Sequence, residues 1–373
     1  MQFGSLIEIQ PGQPIWWLVT VQVLIILIVL LAPFKVKWCE HNLEVFFLIM
    51  GLAAVTVSSS WSGQLIIDAL KSPVMIGSLP IGIFQVVLVF GLLIYFFNRQ
   101  FYQSINWLVH KLSLRIFILL LILILGLISS LISVIVTSVI LAEIVAVLPL
   151  RKAERIKLVV ITCFAVGLGA VLTPLGEPMS TILVQRLSGP TYFAGFTWPI
   201  QYFAIFVIPA AFILALFGSL WIVKKRPADN PVTEETFANP DSLRTVIIRA
   251  IKVFAFVAAL VFLGEGLKPL IIWFFDKIPA AVLYWINTIS AVLDNATLTS
   301  IEISPQMGLS QIICIVMGLL IAGGMLIPGN IPNIVAAGRL RISMKEWAKI
   351  GMPIGLAMML IFFMILIFLG YVF

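Results

Sequence analysis

Long apolar runs, interrupted at recurring places by short polar or Gly/Pro clusters, set the plan of the chain. Runs 15–33, 79–97 and 199–223 each approach the roughly 20 residues a helix needs to cross about 30 Å of hydrocarbon. Two more, 246–264 and 344–372, fall in the second half. Other runs are too long for one crossing and are weakened in the middle. Segment 116–150 lies between Arg115 and Arg151 and reads SSLISVIVTS at 129–138, where polar and β-branched residues disfavour a continuous helix. It is expected to enter and return as a re-entrant hairpin over about 115–151. Segment 278–305 repeats the plan, breaking at LDNATLTS (293–300). Non-helical backbone at that depth is tolerated only where protein buries it or it lines a water-filled cavity, so a functional cavity is implied.

Each hairpin is followed by a second kind of interruption. In LTPLGEPMST (172–181), Pro174, Gly176 and Pro178 forbid a continuous helix, predicting a broken helix over about 156–188. LIPGNIPN (326–333) predicts another over about 308–339. Laid without gaps, GEPMSTILVQRL (176–187) and GNIPNIVAAGRL (329–340) share Gly, Arg and Leu, with a Pro displaced by one. Paired breaks in two halves are the best sequence pointer to a transporter-type binding site.

Composition and charge then set the class. The 373 residues are 62% hydrophobic and 10% charged, against about 25% charged in soluble domains, so an all-α polytopic membrane protein is expected. Most of the 23 Lys and Arg fall where a positive-inside arrangement would place cytoplasmic loops. That arrangement orients the halves oppositely and puts both termini outside. The expected organisation is an N-terminal half (1–223), a cytoplasmic linker (224–244) and a C-terminal half (245–373), related as inverted-topology repeats. Segments 98–112 and 268–277 read as amphipathic helices at the two interfaces. The first fourteen residues hold no Lys or Arg, so no cleaved signal peptide is expected. The net charge of +7 comes without basic runs interleaved with aromatics, which argues against a nucleic-acid partner. Three scattered cysteines read as packing thiols.

The candidate chemistry sits in the interruptions. A charge at mid-membrane costs at least about 2.5 kcal/mol and tends to mark an ion or proton path. Asp294 stands at the second hairpin tip with Asn295, Thr297, Thr299 and Ser300, the oxygen types a dehydrated Na⁺ requires; its bland alternative is a cap on the hairpin. Glu177 stands in the first broken helix, as an ion or proton site or as an acid stabilising the N-terminus of the helix that follows. Asn330 and Asn333 occupy the second break, where amides orient a substrate or cap a helix. Glu143 and Glu302, on the return legs, are a structural pair or a proton relay. Arg186 and Arg339 are expected to snorkel to the interfaces. No GxGxxG, Walker A, HExxH or GxSxG pattern is present, so neither ATP-driven transport nor a common enzyme class is supported.

Over residues 80–373, LDNATLTS, GLGAVLTPLGEP (167–178) and GGMLIPGNIPNIVAAG (323–338) resemble the ion transporter superfamily, in the branch holding arsenite permeases and D-type bacterial sodium/proton antiporters. The resemblance implies two re-entrant hairpins meeting two broken helices, alternating access and a homodimer in a prokaryotic inner membrane. By position it places Asp294, Asn295, Thr297 and Thr299 at the second tip, Thr173, Gly176 and Glu177 in the first broken helix, and Gly329, Asn330 and Asn333 in the second. The first tip, near Ser133, Thr137 and Ser138, lacks the Asn of many relatives, and neither tip has the SNT pattern of dicarboxylate carriers. The expectation is a secondary transporter exchanging Na⁺, held by Asp294, Asn295 and Glu177, for H⁺. It would need no cofactor beyond these ions. Coupled transport of a small carboxylate or oxyanion, a channel, and a membrane-embedded enzyme are the alternatives.

Overall fold

The computed structural model describes residues 13–75, 83–222, 242–274, 278–293 and 295–372. The described residues are helical, with no strand among them. The first group comprises α1 (Trp16–Lys35), α2 (Lys37–His41), α3 (Leu43–Val57), α4 (Gly63–Lys71) and α5 (Ile83–Leu112). Within α5, Phe97 has non-helical geometry (φ −111°, ψ 21°), so two helices meet there, at the boundary expected between the apolar run and the segment 98–112.

The first interrupted unit follows: α6 (Leu114–Ile132), α7 (Val134–Val147), α8 (Lys152–Ala170) and α9 (Pro178–Arg186), then α10 (Trp198–Ile222). Ser133 breaks α6 from α7 with φ 72° and ψ 148°, a conformation unfavourable for a residue bearing Cβ. Past the linker, whose residues 223–241 lie outside the described set, comes α11 (Leu243–Phe274). It extends beyond its expected apolar core and takes in 268–274 as a continuous helix, because a backbone helix can carry an apolar span and an amphipathic end alike. The second interrupted unit is α12 (Ala280–Ile286) with a 3-10 turn at Asn287–Ala291, α13 (Asn295–Glu302), α14 (Leu309–Gly323) with a 3-10 turn at Ile327–Gly329, and α15 (Ile331–Leu340). Helix α16 (Met344–Phe368) closes the chain.

Five helices, Trp16–Lys35, Leu114–Ile132, Trp198–Ile222, Leu243–Leu270 and Met344–Phe368, are long and apolar enough to cross a membrane. Their outer faces carry large exposed side chains such as Leu24, Ile205, Phe212, Ile361 and Met364. A surface of that kind is stable against lipid and costly against water.

The two interrupted units pack in matching ways. Helix α6 lies on α8 as α12 lies on α14; α10 lies on α8 as α16 lies on α14; α5 meets α7 as α11 meets α13. Between units the arrangement is reciprocal: α7 packs on α15 and α13 on α9. The core is therefore shared. Helices α8 and α14 are almost wholly buried along their lengths, which is why both read as near-uniform apolar runs rather than amphipathic stripes.

Close approach of backbone is bought with small residues, as in membrane bundles generally. A methyl on Gly318 would come within 2.7 Å of the Tyr284 carbonyl oxygen and 3.2 Å of Asn287 Cβ. In the first unit both partners are small: a methyl on Gly169 of α8 would collide with the Gly126 carbonyl of α6, and one on Gly126 would stand 3.1 Å from Ala165 Cβ.

Candidate functional site

The residues of the two breaks lie at the centre of this packing. In the first, the chain leaves α8 at Ala170 and resumes helix at Pro178, with Glu177 in the N-cap position in extended geometry (φ −153°, ψ 161°). Proline is suited to a first helical position, where no N–H is needed. In the second, α14 ends at Gly323, and α15 begins after Asn330, whose geometry is nearly the same (φ −152°, ψ 150°). Glu177 and Asn330 therefore hold equivalent positions, one a carboxylate and one an amide.

Each tip touches its own break. The Val134 N–H donates to the Gly176 carbonyl at 2.7 Å, tying the start of α7 to the first break. The Thr173 hydroxyl donates to the Ser130 carbonyl and accepts from the Leu175 N–H at 3.2 Å. Ser129 Oγ donates to the Val166 carbonyl at 3.0 Å, and Ser290 Oγ approaches the Leu319 carbonyl at 3.4 Å in the second unit. Asn295 lies over Gly323, where an added Cβ would meet its Nδ2 at 2.8 Å. The second break also meets the helix that leads into the first. A Cβ on Gly167 of α8 would stand 2.8 Å from Asn330 Nδ2.

Thr137, Ser138, Thr173, Glu177, Asn295, Thr299, Asn330 and Asn333 are all buried, while Ser133 is half-buried. Gly176 and Gly329 are buried where backbone crosses backbone, Gly329 within 2.6 Å of the Gly323 and Ser290 carbonyls for any added Cβ. Asp294 lies outside the described residues, as does the side chain of Thr297.

The protons of the site are largely spent on the protein itself. Thr137 Oγ1 donates to the Ser133 carbonyl, Ser138 Oγ to Ile135 and Thr299 Oγ1 to Asn295, each at 2.8 Å. Asn333 Nδ2 spans the second break, donating to the Gly323 and Leu326 carbonyls at 2.7 and 2.8 Å, and its Oδ1 is buried with no hydrogen-bond partner. Asn330 Oδ1 accepts from the Ile331 N–H at 2.8 Å, a local cap. A hydroxyl whose proton is engaged keeps lone pairs to offer. The exception is Asn295, whose Oδ1 accepts from Ser290 and whose Nδ2 is left without a partner.

The two remaining acids differ sharply. Glu143 on α7 is buried and accepts from Arg339 Nε of α15 at 2.6 Å, with Arg249 Nη1 of α11 at 3.9 Å. Arg339 was expected to reach an interface; instead it pairs inward, because α15 packs on α7 and brings a buried carboxylate within reach. Glu302 on α13 is buried beside the Asn287 amide, but neither carboxyl oxygen meets hydrogen-bond geometry. Ser129, Ser180, Asn287, Ser290 and Arg249 are missing from the sequence reading. Ser180, for one, donates across the first break to the Val171 carbonyl at 2.9 Å. Asn287 and Ser290 were detectable as polar residues inside an apolar run; Arg249, at the start of the run 246–264, was counted only among the basic residues. Cys39, Cys163 and Cys314 are free and buried.

Five apolar helices of spanning length and a buried polar centre, with no strand among the described residues, define a helical membrane protein. Residues 19–369 match the profile of DUF1646, described as a protein of unknown function, and the chain belongs to that family. It matches none of the curated proteins.

Proposed function

We propose that this protein is a secondary active ion transporter that exchanges a monovalent cation, Na⁺ first, for protons by alternating access. The observation that carries the reading is the state of the buried polar groups around the two breaks. Hydroxyls of Thr137, Ser138, Thr173 and Thr299 give their protons to main-chain carbonyls. Their remaining lone pairs, the buried Asn333 Oδ1 and the buried Glu177 carboxylate supply acceptors around the two breaks. Such a set suits a dehydrated cation, whereas an anion needs donors. Glu177, and Asp294 by its place in the sequence, would hold cation or proton in turn, since a cation beside a carboxylate favours its ionised form.

On this reading the α6–α7 and α12–α13 units are re-entrant hairpins, and the chain is a pair of inverted repeats joined by the linker. The matching and reciprocal helix packing supports that interpretation. The resemblance to the arsenite permease and D-type sodium/proton antiporter branch extends it to a homodimer in a prokaryotic inner membrane, with both termini outside. Glu302 is then a candidate proton carrier, since it has no ion-pair partner among the described residues. Glu143 is a poorer one, being held by Arg339.

One observation favours a second reading, coupled transport of a small anion. Helices α9 and α15 both begin at the breaks, and helix N-termini present partial positive charge. The unpartnered Nδ2 of Asn295 would add a donor.

Purified protein in liposomes, pulsed separately with Na⁺, K⁺ and Li⁺ while internal pH is followed, tests the proposal. A cation-dependent pH change is expected, reduced more than about tenfold by Glu177→Gln or Asp294→Asn, a loss equivalent to about 1.4 kcal/mol. No pH change with any cation, together with gradient-driven uptake of a labelled carboxylate or oxyanion, would overturn it in favour of the anion carrier.

A further inference from the structure

A cavity of about 510 Å³ opens between the starts of α3 and α11 and the end of α15, and none of the candidate ion-site hydroxyls lines it. Its lining carries three cationic side chains, Arg249, Lys252 and Arg341, and one carboxylate, Glu44. Its deeper wall is apolar, formed by Phe256, Ile334 and Ile327, the last belonging to the second break. Thr245 adds a hydroxyl.

Three features separate this arrangement from an ordinary basic loop. First, the cations stand at the rim of a cavity whose deeper wall is apolar, a setting in which charge interactions are stronger than in bulk water. Second, the lining carboxylate Glu44 is engaged by Lys252 at 2.6 Å and Arg249 stands 3.9 Å from Glu143, so Arg341 has no lining carboxylate of its own. Third, Arg341 is held at its place by an unusual backbone. It caps α15 in the left-handed conformation (φ 53°, ψ 45°), a position that Gly or Asn ordinarily takes. A guanidinium fork fits phosphate oxygens closely, and the cavity is far larger than a monatomic anion requires.

We propose that this cavity is a binding site for a phosphate-bearing anion, with Arg341 and Lys252 contacting the phosphate oxygens and the Phe256 and Ile334 wall receiving its less polar part. The ligand is either the headgroup of an anionic phospholipid or a soluble phosphate; the recognition chemistry is the same. Basic pockets between spanning helices bind anionic headgroups in other membrane proteins. The site does not depend on the transport reading. An occupant would lie over Ile327 and so beside the second break.

The test uses the full chain, purified and delipidated in detergent. Native mass spectrometry would compare retention of phosphatidylglycerol with that of phosphatidylcholine, and thermal unfolding would be followed with inorganic phosphate against equal ionic strength of chloride. The expected result is selective retention of phosphatidylglycerol or a phosphate-specific rise in midpoint, weakened at least about tenfold in Lys252→Gln/Arg341→Gln. Lys71→Gln, on exposed α4, should leave it unchanged. Phosphatidylglycerol retention without a phosphate effect identifies the lipid source, and the reverse pattern the soluble one. If the double variant does not fold, Arg341→Gln alone decides, since Arg341 is exposed. Failure of both probes to exceed their controls, or equal binding by the variants, overturns the proposal.

Discussion

Arg186 and Arg339 occupy the same place in the aligned stretches GEPMSTILVQRL and GNIPNIVAAGRL, yet they come to different ends. Arg186 finishes α9 with an exposed side chain. Arg339, in the last turn of α15, reaches Glu143 at 2.6 Å and is largely buried. The difference lies in the facing helix. Helix α15 packs on α7, which carries Glu143, while α9 packs on α13, whose acid Glu302 has no ion-pair partner among the described residues. Equivalent backbones therefore carry unequal charge, and a motif position alone does not say what a residue does.

The comparison can be broken most forcefully at that arginine. Removing one partner of a buried pair costs up to about 3–5 kcal/mol, and Arg249 at 3.9 Å answers only part of the Glu143 charge, so Arg339→Gln should sharply lower the unfolding midpoint in detergent. Arg186→Gln, at an exposed position, should cost no more than about 1 kcal/mol. Comparable losses would show that the pair with Glu143 contributes little.

The helix crossings give the next contrast. Gly318→Ala drives a methyl against the Tyr284 carbonyl, and backbone cannot step aside as a side chain can; about 1–3 kcal/mol should be lost. Gly126→Ala meets looser contacts at 3.1 Å, and the roughly 0.8–1 kcal/mol of helix propensity it gains should nearly cancel the crowding. Melting curves of the two variants side by side are sufficient, and a larger loss at Gly126 would reverse the assignment.

The smallest effect concerns how the paired helices α8 and α14 begin. Glu154 accepts from the Arg151 N–H at 2.9 Å, and Gln311 accepts from the Gly308 N–H at 3.1 Å. Glu154→Ala should cost about 1 kcal/mol, because it removes a charge near a helix N-terminus as well as a hydrogen bond. Gln311→Ala should cost about half that. Equal shifts in the unfolding midpoint would mean that the charge contributes nothing there.

Much of the backbone plan was legible because its causes are local. Pro174, Gly176 and Pro178, and Pro328, Gly329 and Pro332, interrupt helices whatever surrounds them, and the observed interruptions at 171–177 and 324–330 follow. The break at Ser133 was legible only as a weak region, since no Gly or Pro marks it; packing holds this residue at φ 72°. The polar centre was partly legible. Asn, Thr and Glu in apolar surroundings attract notice, but Ser180, Ser129 and Ser290 are single small hydroxyls whose importance lies in which carbonyl each reaches.

By itself the sequence determined that the chain is helical and membrane-bound, where its helices break and which polar residues lie near the breaks. Those properties follow from hydrophobic run length and from the fixed φ and missing N–H of proline, which act within a few residues. Tertiary structure alone decided that Arg339 turns inward to Glu143, that Asn330 meets Gly167, and that Arg249, Lys252 and Arg341 surround one cavity. Each joins residues far apart in the chain, and side-chain direction at such distances is set by helix packing, which no local pattern encodes.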